Sequence, residues 1–125
     1  MSSTTHAFAP VFEALRPILA RHAGALVVVH DTAEHLYLDT AHVMPNKKPM
    51  FFGAVNVKRG FVSFHLMPVY VFPELLTTVS PALQKRMQGK SCFNFKKVEP
   101  ELFEELSRLT EAGYAAFQRA GYVPA

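Results

Sequence analysis

Six side chains of metal-ligating type, His30, Asp31, Glu34, His35, Asp39 and His42, fall within thirteen positions. If Val28-Val29-His30 pairs with His35-Leu36-Tyr37 through a turn at 31–34, His30 and His35 become cross-strand neighbours. Two imidazoles joined by Asp31 or Asp39 make a donor set suited to a divalent transition metal, so His30, His35 and Asp39 are the candidate metal ligands. The spacing matches no named metal motif, and polar side chains at a hairpin end are commonly held by water alone.

A second group lies further along. Ser63 and His65 are two residues apart on one strand pattern, and Cys92 is the single cysteine. Nucleophilic catalysis needs a base in hydrogen-bond reach of the nucleophile and a carboxylate to orient that base. Residues 47–97 offer Glu74 as their single acidic side chain, so no catalytic residue is assigned. His65 and Tyr70 are better read as hydrogen-bonding lining of a cleft, with Lys47, Lys48 or Lys90 setting a preference for anions. Gly89-Lys90-Ser91 has the ending of a phosphate loop. A true one requires glycine where Gln84 stands and a helix after the lysine, whereas a strand pattern follows here. What remains is a glycine and an ammonium able to hold an anion, or a plain helix stop.

Charge is distributed unevenly. The formal net charge is +3. Residues 47–97 set Lys47, Lys48, Lys58, Arg59, Lys85, Arg86, Lys90, Lys96 and Lys97 against Glu74, a local charge of +8, while the segments before and after carry −2 and −3. Clustered cations attract anions unless folding brings the acidic final segment against them.

The chain has 125 residues and 14.0 kDa, half of them apolar, with 11 Phe and no Trp. That fits one domain, 1–125, with one core, and residues 1–8 read as a flexible N-terminal tail. A lone cysteine, no secretory leader pattern and no apolar run near ~20 residues point to a cytoplasmic protein without a membrane partner.

Periodicity supplies the elements. Phe8, Val11, Phe12, Leu15, Ile18 and Leu19 recur at helical spacing from Pro10 to Gly24, with a kink or restart expected at Pro17. Strands are expected at 25–29 and around Leu36–Asp39. Met50–Val57 and Phe61–Met67 follow as a hairpin closed by the three residues Lys58-Arg59-Gly60. Alternation puts Val62, Phe64 and Leu66 in the core and Phe61, Ser63, His65 and Met67 on the other face. Pro73-Glu74 and Ser80-Pro81 open two short helices, the second closed by Gly89 with Lys85 and Arg86 in its last turn. Phe93 and Phe95 alternate with Cys92, Asn94 and Lys96. A helix of about 20 residues then starts at Glu99-Pro100-Glu101 and stops at Gly121. The fold class is α+β: an antiparallel sheet with the N-terminal and the long C-terminal helix packed on one face.

Asn46-Lys47-Lys48-Pro49-Met50-Phe51-Phe52-Gly53 and Gly89-Lys90-Ser91-Cys92-Phe93-Asn94-Phe95-Lys96 resemble the YdhG-like family of small bacterial proteins, a domain of unknown function. The likeness covers most of residues 10–121. It implies a frataxin-like architecture and, as an alternative function, iron handling as an iron chaperone. Frataxin binds iron through an acidic ridge on its first helix and adjoining strand, whereas the first helix here offers Glu13 alone.

The expected function is therefore a non-catalytic binding domain that takes a small anionic ligand or a protein partner through 47–97, using Lys47, Lys48, His65, Tyr70 and Lys90 and needing no cofactor. Metal handling through His30, His35 and Asp39, with iron as the metal, is the first alternative. Single-stranded nucleic acid is the second and less favoured. Phe51, Phe52, Phe61, Phe64, Phe93 and Phe95 interleave with the cations, yet alternation assigns several of them to the core and no RNA-binding signature is present.

Overall fold

The computed structural model describes the backbone of residues 3–124 and the side chains of residues 8–124. Helix α1 (Ser3–Ala20) precedes strands β1 (Val27–Asp31), β2 (His35–Val43), β3 (Pro49–Lys58) and β4 (Phe61–Leu66). Two short helices follow, α2 (Met67–Val71) and α3 (Pro81–Gln84), then β5 (Met87–Gln88), β6 (Cys92–Phe95) and helix α4 (Pro100–Ala120). The strands form one antiparallel sheet in the order β1-β2-β3-β4-β6-β5, and the expected α+β architecture is the one observed.

One face of this sheet carries the core. Phe52, Val55, Val62, Phe64, Leu66, Phe93 and Phe95 are buried beneath Phe12, Leu15 and Leu19 of α1 and Phe103, Leu106 and Phe117 of α4. Rings lock the layers edge to face, with Phe95 against Phe103 at 4.8 Å and Phe52 against Phe117 at 5.9 Å between centroids.

Several elements depart from the sequence pattern for identifiable reasons. Helix α1 continues unbroken through Pro17, and Arg21 N–H donates to the Pro17 carbonyl at 3.2 Å. An interior proline costs about 3 kcal/mol, but burying each of Leu15, Ile18 and Leu19 returns roughly 1.5–3 kcal/mol. Of the expected tail, residues 1 and 2 lie outside the described residues, and residues 3–8 belong to α1. The β3–β4 register runs to Lys58↔Phe61, so the loop is Arg59-Gly60 alone, with Gly60 at φ 93°.

Gly89, at φ 79°, turns β5 into β6 rather than ending a helix, and α3 stops at Gln84 before Lys85 and Arg86. A glycine of positive φ serves a helix end and a hairpin equally well, which is why the pattern misread it. Ser80 does cap α3: its hydroxyl accepts from Leu83 N–H and donates to Glu105 of α4 at 2.7 Å.

A β-bulge at Phe52 decides which side chains face away from the helices. Leu38 pairs with Gly53 but Asp39 pairs with Phe51, so β3 has one extra residue there. Phe52 and Gly53 both point to the helical side, and Phe51 and Ala54 both point to the open side.

Two glycines bound the packing. A Cβ on Gly113 would lie 2.8 Å from Pro68 Cβ, where α2 crosses α4, whereas one on Gly24 would meet nothing within 4 Å. Gly113→Ala gains about 1 kcal/mol of helix propensity and loses about 1–3 kcal/mol to overpacking, a net loss. Gly24→Ala is expected to stabilise by about 0.4–1 kcal/mol through the unfolded chain. Urea denaturation of the two variants checks the opposite signs.

Candidate functional site

The uncovered face of the sheet is built in rows fixed by the register. One row runs Tyr37, Ala54, His65, Cys92, Gln88, and the next runs His35, Asn56, Ser63, Asn94. These positions alternate with the core residues, so Leu36, Val55, Phe64 and Phe93 point one way and the polar row points the other.

A trough of about 610 Å³ lies over these rows, lined by His35, Tyr37, Phe51, Ala54, Asn56, Lys58, Ser63, His65, Met67 and Cys92. Its floor is a chain of rings. Tyr37 meets Phe51 at 4.7 Å, Phe51 meets His65 edge-on at 4.7 Å, and His35 stacks on His30 at 5.0 Å.

His65 Nε2 and the Ser91 hydroxyl are 2.8 Å apart. That is a nucleophile–base distance, but Ser91 is buried and no carboxylate bonds the imidazole among the described residues. Ser63, the partner suggested by spacing, pairs instead with Asn56 and Asn94 across the sheet.

A second hollow, of about 660 Å³, opens at the end of β4, β6 and β5. Lys85, Arg86, Lys96 and Lys97 surround it, with Gln88 and Asn94 as amide groups, Phe61 and Met87 as apolar contacts and Glu99 at its edge. Arg86 donates from Nε and Nη2 to the two carboxylate oxygens of Glu99, each at 2.7 Å. This hydrogen bonding holds the Glu99 carboxyl below its ordinary range, against the opposing effect of burial. Among the described residues no carboxylate reaches Lys85, Lys96 or Lys97 within ion-pair distance. One end of the Asn94 amide, Oδ1, is buried without a hydrogen-bond partner.

The final helix neutralises these cations only in part: Glu99 at its N-cap binds Arg86 and feels the charge of Lys97, and Glu101 shares a neighbouring hollow with Arg86 and Lys97. Glu105 is taken by Ser80, Glu111 by Arg21, and Glu104 by Arg108 one turn away.

The residues singled out from the sequence are scattered by the fold. His65 lines the trough. Tyr70 sits exposed on α2 and does not line it. Lys90 lies in the β5–β6 turn, and Lys47 and Lys48 in the β2–β3 turn, where Lys47 is held at φ 67°. These three lysines share one end of the sheet, opposite to the basic hollow.

His30 and His35 do meet, although the register places His30 opposite Tyr37. Their rings are stacked at an interplanar angle of 22°, so the in-plane nitrogen lone pairs run alongside each other rather than converging. Asp39 stands four residues further along β2, about 13 Å by strand rise. It is buried, which raises its carboxyl. No three His, Cys, Asp or Glu side chains group as a metal cage among the described residues.

Lys85, Arg86, Lys96 and Lys97 were not singled out individually by sequence. The signal was present: two basic pairs flank Met87–Phe95, and once Gly89 is a hairpin turn they fall at one end of it. Among the described residues no helix is long and apolar enough to cross a membrane.

Burial holds His65 and His35 below the ordinary imidazole value, and the same holds for His22, which stacks on Tyr114 at 5.0 Å. Below about pH 6.5 the unfolded chain binds protons that these rings resist, so stability is full above that pH and falls as the pH drops below it. Asp39, shifted upward, acts in the opposite sense at lower pH. Urea unfolding at about pH 7.5 and about pH 5.5 is expected to show the loss, and His65→Gln to reduce it; a rise in stability on acidification contradicts the assignment. Comparison with protein-family models, with curated proteins and with solved structures finds no match to this chain.

Proposed function

We propose that this domain is a non-catalytic binding module for a small anionic ligand, held in the basic hollow at the end of β4, β6 and β5. The observation that carries this reading is that Lys85, Arg86, Lys96 and Lys97 line a hollow whose one carboxylate, Glu99, is gripped by Arg86 and forms no ion pair with the three lysines, so cations outnumber it four to one. Three ammonium groups kept together at one sheet end repel one another, and an anion between them relieves that repulsion.

Arg86 adds a geometric argument. Its guanidinium already grips the planar Glu99 carboxylate in a two-pronged bond, so the fork stands oriented for an oxyanion. Phe61 and Met87 give the ligand an apolar body contact, and the Gln88 and Asn94 amides fix its polar edge. Iron handling, the alternative implied by the family resemblance, draws less support. The stacked His30 and His35 offer parallel lone pairs, and Asp39 is distant along the strand.

A thermal-shift series with pyrophosphate, citrate and other phosphorylated or carboxylate metabolites tests the reading. An anion present at a hundredfold its Kd is expected to stabilise by about 2.7 kcal/mol. The double variant Lys96→Glu/Lys97→Glu abolishes the shift, and Glu99→Gln, which releases Arg86 from its ion pair, enlarges it. If no anion moves the melting temperature, or if charge reversal leaves the shift intact, the reading fails.

A further inference from the structure

We infer that the open face of the sheet binds single-stranded nucleic acid as an extended strand, bases stacking on Tyr37, Phe51 and His65 and phosphates held at the two basic ends. The inference rests on the anion-binding reading for one of those ends, the hollow with Lys96 and Lys97, and goes beyond it in length and in chemistry.

Three observations converge. The first is the ring floor. Phe51 lies 4.7 Å from both Tyr37 and His65, and these rings line a trough on the face that no helix covers. Most phenylalanines of the basic segment are buried on the opposite face, so the platform is made by a different set of rings, joined by the bulge that turns Phe51 outward. Burial favours the neutral form of His65, which suits stacking against a base. Stacking accepts any base, because every base has a flat face.

The second observation is the placement of charge. The register puts the turn with Lys47 and Lys48, and the loop with Lys90, at one end of the strands. Lys58, Lys85, Lys96 and Lys97 lie at the other. Strand β3 has ten residues, about 33 Å from end to end. A small anion occupies one end at a time. A flexible polyanion reaches both while its bases cross the rings between them, and a site of this length matches the shorter of the ~4–16-nucleotide footprints of single-strand binders.

The third is the chemistry of the face itself. Asn56, Ser63 and Asn94 offer neutral hydrogen-bonding groups beside the rings. Asp39, the carboxylate opposite Phe51 in the register, is 9% exposed, and its charge acts on the neighbouring Tyr37 ring rather than lying open on the face. A duplex hides its base faces and cannot use the rings, and an acidic polypeptide has no bases to stack.

Fluorescence anisotropy with labelled oligo(dT), oligo(rU) and a duplex of equal length tests this on the whole chain. Binding of a single strand, weakening steeply with salt and stronger than duplex binding, is expected; a preference between the two oligomers identifies which strand type is taken. Tyr37→Leu/Phe51→Leu keeps apolar bulk but removes the rings, and is expected to lower strand affinity at least tenfold while the pyrophosphate thermal shift persists. Lys47→Glu/Lys48→Glu is expected to weaken strand binding and leave pyrophosphate untouched. Should the ring variant not fold, Lys58→Glu on the trough rim is expected to weaken strand binding with the pyrophosphate shift intact. No strand binding alongside an intact pyrophosphate shift overturns this inference alone, as does strand binding indifferent to these variants or displaced equally well by polyglutamate. Loss of both responses in the unaltered chain overturns the anion reading as well.

Discussion

The structure depends on one constraint: two amphipathic helices cover a single face of a six-stranded sheet. Helix α1 packs on β3 and β4 and against α4, whose Phe117 and Phe103 meet Phe52 and Phe95, and the core closes there. The opposite face then has to be built of side chains that tolerate water. That is why β4 and β6 alternate strictly, with Val62, Phe64 and Leu66 inward and Phe61, Ser63 and His65 outward. The open face is a consequence of the layering, and its rings and amides are what the sequence put there.

Electrostatics follow from the same layering. Three acidic residues of α4 sit above the helical side of the sheet, where Glu105 accepts from Ser80, the cap of α3, Glu111 meets Arg21 and Glu104 meets Arg108. They are committed there. Of the nine cations in 47–97, Arg86 alone forms an ion pair among the described residues, with Glu99 at the foot of α4. The pair is bidentate and part-buried, so it fixes the guanidinium in one orientation. The lysines stay exposed at the sheet ends, and none of them forms an ion pair among the described residues.

Much of this was legible in the sequence. The helical stripe from Phe103 to Phe117, the Ser80 cap, the Gly121 stop and the inward Phe93 and Phe95 came from periodicity and capping chemistry alone. Two features were not. Gly89 has a positive φ that both a helix end and a hairpin require, so β5 and the meeting of Lys85 with Lys96 and Lys97 stayed hidden. The bulge at Phe52 is a register event between strands, with no local signature, and it decides that Phe51 rather than Phe52 joins the open face. His30 and His35 show the opposite case: spacing brought them together correctly, but ring orientation, which decides whether they can share a metal, is a tertiary property.

Whether the basic hollow holds an anion is read out residue by residue by chemical-shift mapping. On addition of pyrophosphate to the 15N-labelled protein, saturable shifts are expected at the backbone amides of Phe61, Met87, Gln88, Asn94, Lys96 and Lys97, with β1 unmoved. Shifts that never saturate, or that centre on Lys47 and Lys48 and leave the hollow silent, would contradict anion binding there.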